Sequence, residues 1–426
     1  MSQEQQKAPE FHPSPEYVAR EKRFNDAARL KTPDRVPIAS LASLFMVRYA
    51  GLTNAEGLYE YDKAAEAVKE SMQKLDWDMA PLHFTFFPGP VMEKLGMKTF
   101  KWPGKHFDDN LPYQFVEDEY MLAEEYDEFL NDTGDFVVRK LMPRMVESLE
   151  PLGMLPPLIS FSSGYALLNL GATIAGTPPM LEMFQRLAEA GQEMNKWNAA
   201  QRQLTMDLME MGYPPVASTV FTQAPFDWVS DHFRGLRGTM LDMYRHPDKL
   251  KATMDKVTPF LIHSAIVGAQ QTKTPRIFIP LHRGAGGFMS DEQFAEFYWP
   301  TLNKLILALI DADLVPMPFF EGNYTPRLAY LAELPPGKVI GHFDIVDKQQ
   351  AKEVLGDRMC FWGNVPAQLL VTGTEAQVVD YVKELIDIFA DGGGLIIDGA
   401  VDGIPPEAKP ENVEAMTETV FDYGVT

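Results

Sequence analysis

The sequence predicts an α/β fold, a (β/α)8 TIM barrel with an N-terminal helical extension. Three observations indicate this fold: the chain has 426 residues, short apolar segments alternate with helical segments, and polar side chains follow successive apolar segments. Such alternation is typical of a parallel sheet that helices cover on both faces. The number of units and a closing helix favour a barrel over an open sheet.

The N-terminal half is predicted to begin with a tail and a helix, residues 1–30, before the barrel domain, residues 31–426. "TPDRVPIAS" predicts a first strand, residues 58–75 a helix, and "DWDMAPLHF" a second strand that ends near His83. The Gly- and Ser-rich segment "PPLISFSSGYALLNLGATIAGTPPM" is either an active-site lid or a loop between helices.

The C-terminal half shows a regular succession of helices and strands. A long helix begins at "PPMLEMF", and the predicted strands are "PPVASTVFT", "RIFIPLH", "VPMPFFEG", "GKVIGHFD", "MCFWGN" and "GLIIDG". Ser290 with Gln293, and Thr374 with Gln377, have the spacing of capping boxes that start helices. Asp347 is placed to cap the helix "KQQAKEVL".

The composition excludes several classes of function. A formal net charge of −22 and a pI near 4.8 argue against nucleic-acid binding, because phosphate backbones are repelled. The single cysteine, Cys360, can form no intramolecular disulfide and no Cys-rich zinc site, and we expect it in the core. No segment predicts a signal peptide or a membrane span, so we expect a cytoplasmic protein.

Polar residues at the ends of the predicted strands are the candidate site, because these ends meet at the mouth of a barrel. One of these residues is Glu321, a carboxylate that follows the apolar strand "VPMPFF". The other candidates are His83, Asp227, His282, His342, Asp344, Asn364 and Asp398.

Each candidate has a structural alternative. A histidine at a strand end, such as His282, is often only hydrogen-bonded to a neighbouring loop. Glu321 could form a salt bridge with Arg283 or Arg327, and Asp344 could cap a helix.

The C-terminal half resembles the uroporphyrinogen decarboxylase superfamily. The resemblance lies in "GKVIGHFDIVDKQQAKEVLGDRMCFWGNVPAQLLVTGTEAQVV", where "GN" ends a strand and a "GT" motif starts a helix. "SDEQFAEFYWPTLNKLI", "TPDRVPIA" and "LDWDMAPLHF" are also similar to segments of that superfamily. The resemblance implies the barrel fold but does not specify the reaction.

The two main branches of the superfamily fit unequally. Uroporphyrinogen decarboxylases carry an Arg-rich N-terminal motif, whereas the corresponding region here has Arg48 alone. Corrinoid-dependent methyltransferases that act on coenzyme M bind zinc through a His-x-Cys-Gly motif. Here Phe319 and Glu321 stand at the His and Cys positions, so that thiol-activating site is missing.

The resemblance therefore implies a methyltransferase that moves a methyl group from a small O-methyl ether or methylamine donor to a Co(I) corrinoid. No D-x-H-x-x-G motif is present, so the corrinoid is expected on a small partner protein. Glu321, His282 and Asp344 are the expected catalytic residues, as proton donors or as a site for a cationic donor. Alternatively, His282 and Glu321 hold zinc.

The expected substrate-binding residues surround these three groups. They are His83, Asp227, Phe320, Tyr324, His342, Asn364 and Asp398. A decarboxylase or other lyase is the alternative function, and a non-catalytic sensor of a corrinoid or methylated ligand is a third hypothesis. A homodimer is a further possibility that the resemblance implies.

Overall fold

The computed structural model describes residues 11–41, 43–81, 87–401 and 403–426 of the chain. It contains a short antiparallel hairpin, β1 with β2, and a five-stranded parallel sheet in the order β3-β4-β5-β6-β7. The strands are β1 Phe100–Lys101, β2 Gln114–Phe115, β3 Arg276–Leu281, β4 Val315–Asn323, β5 Ile340–Ile345, β6 Cys360–Gly363 and β7 Leu395–Ile396.

Three extended segments complete the barrel between β7 and β3. The first runs beside β7, where Ile38 pairs in parallel with Ile397. The second joins the first through the Asp78 N–H, which donates to the Ile38 carbonyl at 3.0 Å. The third pairs with the second at Ala80 and Pro215, and it reaches β3 where the Ser218 N–H donates to the Arg276 carbonyl at 2.8 Å. The predicted eight-membered barrel is thus confirmed.

The α-helices surround this sheet. They are α1 Pro15–Ala28, α2 Ser43–Tyr49, α3 Asn54–Tyr59, α4 Tyr61–Leu75, α5 Gly89–Leu95, α6 Tyr126–Asn131, α7 Thr133–Phe136, α8 Met142–Met145, α9 Gly164–Ala166, α10 Ala172–Ala175, α11 Pro178–Glu210, α12 Pro225–Val229, α13 Gly235–Arg245, α14 Pro247–Thr272, α15 Asp291–Gln293, α16 Trp299–Asp311, α17 Leu328–Leu331, α18 Lys348–Leu355, α19 Ala367–Thr372, α20 Glu375–Phe389 and α21 Pro410–Tyr423.

Shorter helical turns of other types join several of these helices. The 3-10 turns are Ala123–Glu125, Glu147–Met154, Leu158–Phe161 and Thr325–Arg327. The π-helical turns are Val137–Leu141, Leu167–Gly171, Ser230–Arg234 and Phe294–Tyr298. No helix in the described ranges is long and apolar enough to cross a bilayer.

Helix starts follow the predicted side-chain chemistry. Both predicted capping boxes form, at Ser290 before α15 and at Thr374 before α20. Asp347 caps α18, where its carboxylate accepts from the Gln350 N–H at 2.9 Å. The single helix predicted over residues 58–75 is wrong, because a separate capping box at Thr53 starts α3 and α4 begins afresh at Tyr61.

Side chains of the barrel strands alternate between two cores, as the two-residue repeat of a strand requires. The inward-facing set forms one cluster that contains Phe278, Met317, Phe319, Ile340, Cys360, Trp362 and Ile396. The intervening residues join the larger core under the helices; among them are Ile277, Phe320, Phe343, Phe361 and Leu395. Cys360 is fully buried in the inner cluster, as expected.

Helix α1 closes the barrel at the end where the strands begin. Its Phe24, Ala27 and Ala28 belong to the inward-facing cluster. Arg276, the first residue of β3, places its guanidinium 5.1 Å from the centroid of the Phe24 ring and pairs with Glu21 at 2.7 Å. The predicted N-terminal helix is therefore packed onto the barrel.

Asp78 ties α1 to the first two barrel segments. Its fully buried carboxylate pairs with Arg23 of α1 at 2.6 Å and with Arg35 at 2.9 Å. It also accepts the backbone N–H of Ile38 at 2.8 Å. A buried carboxylate with this many donors is stable only while all of them stay in place.

We expect Asp78→Ala to lower the free energy of unfolding by about 3–5 kcal/mol, because Arg35 loses its paired carboxylate, Arg23 keeps only the exposed Asp34, and the Ile38 N–H loses its acceptor. Asp34→Ala is the matched control, since Asp34 pairs with the same Arg23 but its side chain is 66% exposed. The control should cost about 1 kcal/mol or less. Equilibrium urea denaturation measures both, and equal losses would contradict the proposed role of Asp78.

Candidate active site

The inward-facing row of each strand continues into a polar residue at the mouth. His282 follows β3 in the same phase as Phe278, and Asp344 of β5 is in phase with Ile340. Glu321 of β4 comes two residues after Phe319, just where the register between β4 and β5 becomes irregular. The strand geometry therefore directs the three expected catalytic side chains towards one space.

His282 is held by a carboxylate that the sequence analysis did not identify. Its Nδ1 lies 2.6 Å from Asp231 Oδ2. Asp231 also accepts from Gln223 Nε2 at 3.1 Å and from the Arg283 guanidinium at 3.3 Å. The Asp231 side chain is 15% exposed and that of His282 is 26% exposed, so the pair sits at the boundary of solvent.

The charges around His282 favour its protonated form. Burial alone would lower the pKa of the imidazole, but the hydrogen bond to Asp231 and nearby negative charges raise the pKa of His282 to about 9. Those charges belong to Asp231, Asp227 and Glu321. Burial acts to raise the pKa of Asp231, and the hydrogen bond from His282 outweighs it, so that this pKa is lowered. His282 is thus an imidazolium at neutral pH, with its Nδ1 already occupied.

Asp227 is bonded to the backbone at His282 and Arg283 from the buried side and does not line the mouth. Its carboxylate accepts the backbone N–H groups of His282 at 2.9 Å and Arg283 at 3.1 Å, and the Tyr298 hydroxyl at 2.6 Å. It is fully buried, and burial raises its pKa to about 6. Its expected role as a substrate contact is therefore corrected to that of a support for His282.

Glu321 is electrostatically linked to the histidine. Its charge contributes to raising the pKa of His282, less than those of Asp231 and Asp227. Arg283 and Arg327, which were considered as salt-bridge partners of Glu321, pair with other carboxylates. Arg327 pairs with Asp291 at 2.8 Å, and Arg283 pairs with Asp231 at 3.3 Å. The mouth therefore brings together an imidazolium and two carboxylates, Asp231 and Glu321.

Asp344 and Asn364 fix the backbone next to Glu321. Asp344 Oδ2 accepts the Gly322 N–H at 2.9 Å. Asn364 Nδ2 donates to the Asp344 carbonyl at 2.9 Å, and its Oδ1 accepts from the Tyr381 hydroxyl at 3.1 Å. None of these bonds caps a helix, and Asp344 holds the strand end that carries Glu321.

His342 and Asp398 form a second pair inside the barrel. His342 Nε2 lies 3.2 Å from Asp398 Oδ2, and both side chains are fully buried. Asp398 also accepts the backbone N–H groups of Leu41 at 3.2 Å and Gly399 at 2.7 Å. The His342 ring packs edge-on against Trp362, with 4.4 Å between centroids. These two expected substrate contacts lie in the interior and have no surface exposed to solvent.

Two of the expected substrate contacts, Phe320 and Tyr324, are buried in the outer core. Phe320 is fully buried in the outer core, with its ring 4.8 Å from that of Tyr324 and 4.9 Å from that of Phe343. It precedes Glu321 by one residue, so the alternation of the strand turns it away from the barrel interior. Tyr324 is also fully buried, beside Tyr298 and Gly284. His83 lies outside the described residues.

The expected zinc site does not receive a full ligand set. Within the described ranges, no three His, Cys, Asp or Glu side chains are placed to hold a metal ion. His282 commits one ring nitrogen to Asp231, which leaves Nε2 and Glu321 as two donors, whereas protein zinc sites use three or four. These residues fit proton transfer better than metal binding.

The residues missed by the sequence analysis carry a recognisable pattern. Asp227 and Asp231 are four residues apart across α12 and the following π-helical turn, so they lie on one helical face below the end of β3. His232 is next in the chain and lies 2.9 Å from Gln223 Oε1. Burial lowers the pKa of His232, so this imidazole is neutral at neutral pH whereas that of His282 is protonated.

We expect Asp231→Asn to lower the pKa of His282 from about 9 by roughly 1 to 3 pH units, because an adjacent negative charge is removed. Histidine side-chain NMR titration measures it. Asp347→Asn is the control, since Asp347 is exposed and caps α18 through the Gln350 N–H, and its effect on that pKa should be small. An unchanged pKa in Asp231→Asn would show that another group sets the charge of His282.

Comparison with known proteins agrees with the resemblance deduced from the motifs. Residues 183–423 match the uroporphyrinogen decarboxylase (URO-D) family. Uroporphyrinogen decarboxylases from strains of Cereibacter sphaeroides are 37% identical over 70 residues, which is 16% of this chain and 20% of theirs. The match therefore spans about a fifth of the length of these curated relatives.

A solved structure extends the likeness to nearly the whole chain. A methyltransferase from Methanosarcina mazei superposes with a TM-score of 0.56 at 16% identity, covering 95% of this chain and 98% of that one. At this identity the likeness concerns the fold. With the family match over more than half of its length and the closed eight-membered barrel, the chain belongs to the uroporphyrinogen decarboxylase (URO-D) family.

Proposed function

We propose that the protein is a methyltransferase that moves a methyl group from a small methylated donor, an O-methyl ether or a methylamine, to the Co(I) corrinoid of a small partner protein. One observation carries the proposal: His282 at the barrel mouth is held in its protonated form by Asp231. The fold shared with the Methanosarcina mazei methyltransferase supports the same class of reaction.

The reaction needs a proton donor beside the departing heteroatom. Co(I) is a strong nucleophile that takes the methyl carbon, and the carbon–oxygen or carbon–nitrogen bond breaks with its electrons left on the heteroatom. An alkoxide or phenolate leaves poorly unless it is protonated as the bond breaks. For an ether donor His282 supplies that proton from Nε2, and the alcohol or phenol leaves neutral. A methylammonium or quaternary-ammonium donor is already cationic and releases a neutral amine without a proton from His282.

The carboxylates have separate tasks in this scheme. Asp231 holds Nδ1, which orients the ring and stabilises the imidazolium between turnovers. Glu321 adds negative charge at the mouth, which keeps the pKa of His282 high and attracts a methylammonium donor. Asp344 keeps Glu321 in place through the Gly322 backbone. No step requires a metal bound by this chain.

A decarboxylase is the second candidate, favoured by the short match to uroporphyrinogen decarboxylases. A polycarboxylate substrate needs cationic side chains at the mouth. Arg283 at the end of β3 is engaged by Asp231 at 3.3 Å and Glu117 at 3.6 Å. This pairing and the net charge of −22 favour the methyltransferase.

The methyltransferase and the decarboxylase differ in whether turnover requires cob(I)alamin. Purified protein is mixed with methoxy-aromatic, methylamine and quaternary-ammonium donors, with and without cob(I)alamin in place of the partner's corrinoid. A methyltransferase consumes cob(I)alamin, followed by its absorbance, and releases the demethylated product. Carbon dioxide released from a carboxylated substrate without cob(I)alamin would instead identify a lyase, and a ligand that binds without any turnover would identify a sensor.

We expect His282→Gln to lower the rate of demethylation of a methoxy-aromatic donor by roughly 10²–10⁴, the usual contribution of a positioned acid. In the unmodified protein the rate should be constant at lower pH and fall as pH rises through about 9, where His282 loses its proton. His263→Gln, a change at an exposed histidine of α14, is the control and should keep the rate. If the fall in rate at high pH disappears in His282→Gln and remains in His263→Gln, the assignment is supported. If the fall persists in His282→Gln, the assignment is contradicted.

Glu321→Gln tests the second group at the mouth. We expect the rate to fall by roughly 10² or more, and the alkaline limb to move to lower pH because His282 loses a neighbouring negative charge. Urea denaturation of the same variant should show a far smaller effect on stability. Parallel losses of rate and of stability would instead assign Glu321 a structural role.

A further inference from the structure

Arg283 is the cationic side chain that follows His282 at the mouth, and most of its donors are unused. Its Nε donates to Ser230 Oγ at 3.3 Å, and its Nη2 donates to Asp231 Oδ1 at 3.3 Å. A guanidinium carries five N–H groups, and charged hydrogen bonds are usually about 2.7–2.9 Å long. Arg283 therefore makes two long bonds, and its Nη1 has no hydrogen bond to any residue that the structure describes.

An arginine in the interior of this chain uses its donors more fully. Arg276 donates to two backbone carbonyls, both at 2.7 Å, and to Glu21 at 2.7 and 3.3 Å. Its side chain is 4% exposed, whereas that of Arg283 is 18% exposed. Open donors on a partly exposed guanidinium at the mouth are available to a ligand.

Asp231 brings the guanidinium of Arg283 and the imidazole of His282 together. Its Oδ2 lies 2.6 Å from His282 Nδ1, and its Oδ1 accepts from Arg283 Nη2. Because the two cations share one carboxylate, a single small molecule can contact both. Phe288, which is 43% exposed, places its ring centroid 5.7 Å from the guanidinium carbon of Arg283. Apolar surface therefore adjoins the open donors.

Glu117 is the second carboxylate near Arg283, and it leaves those donors open. It lies 3.6 Å from Arg283 Nη2, which is beyond hydrogen-bonding distance. Its carboxylate accepts the Leu236 N–H at the start of α13. Glu117 thus weakens the attraction of Arg283 for an anion without occupying its donors. One arginine in this state can bind one carboxylate, whereas a polycarboxylate needs several cationic side chains.

We propose that Arg283 is a specificity-determining residue that selects a methyl ether donor carrying one carboxylate. This selection rests on the proposed function and names the class of its donor. The planar guanidinium binds the carboxylate, the apolar body of the donor lies against Phe288, and the ether oxygen reaches Nε2 of His282. A neutral ether or a methylammonium donor has no anionic group for the open donors of Arg283.

Binding is tested without turnover, by isothermal titration calorimetry of the full chain. The probes are para-methoxybenzoate and the neutral para-methoxybenzyl alcohol. We expect the acid to bind about tenfold or more tightly than the alcohol, because it forms a charged hydrogen-bonded pair. No corrinoid is added, so the result does not depend on methyl transfer. Equal affinity for the two probes, or tighter binding of the alcohol, would overturn the selection.

Variants locate the contact. Arg283→Gln should weaken binding of the acid by about tenfold or more and change binding of the alcohol by less than about twofold. Arg283→Lys keeps the charge without the planar fork and should restore part of the loss. Glu117→Gln removes a neighbouring negative charge and should tighten binding of the acid by about twofold or more. Arg245→Gln is the matched control, because it removes the same charge from an exposed position at the other end of α13, and it should change neither affinity.

The outcomes separate this selection from the proposed reaction. If Arg283→Gln keeps its far-UV circular dichroism spectrum and loses only the preference for the acid, the assignment is supported. If it loses affinity for both probes equally, or if Glu117→Gln and Arg283→Lys leave the preference unchanged, the assignment is overturned. Tight binding of the acid without methylation of cob(I)alamin would overturn the proposed function alone. Equal kcat/KM for the acid and the alcohol would overturn the selection alone.

Discussion

The two-residue repeat of the barrel strands is the constraint on which the site depends. Each strand turns alternate side chains inward, so the strand that packs Phe319 into the barrel presents Glu321 one inward step further on, and the strand that packs Phe278 presents His282 two inward steps further on. Burial of the apolar rows fixes this phase, because a shift by one residue would put every inward side chain under the helices. The core therefore positions the reactive groups without contacting a substrate.

The same constraint explains which parts of the structure could be predicted. Apolar strands and capping boxes are local patterns, and they identified the barrel and the starts of α15 and α20. Phe320 was expected to contact the substrate because it lies near the end of its strand. That expectation did not consider which face of the strand the residue occupies. A neighbour of a mouth residue along a strand belongs to the opposite face.

The partner of His282 could not be found from strand ends alone. Asp231 lies in a π-helical turn 51 residues before His282, and the two meet where Asp227 of α12 binds the backbone that follows β3. A pairing across that distance depends on tertiary packing. Burial then decides the roles of the two aspartates of this turn: Asp227, fully enclosed, supports the backbone, and Asp231, nearer solvent, meets the imidazole.

Helix α1 gives the barrel a closed floor, since Phe24, Ala27 and Ala28 pack among the inward-facing side chains. That helix and the packed inward-facing side chains close the barrel at the end where the strands begin. A molecule that reaches His282 must therefore approach from the end where the strands finish.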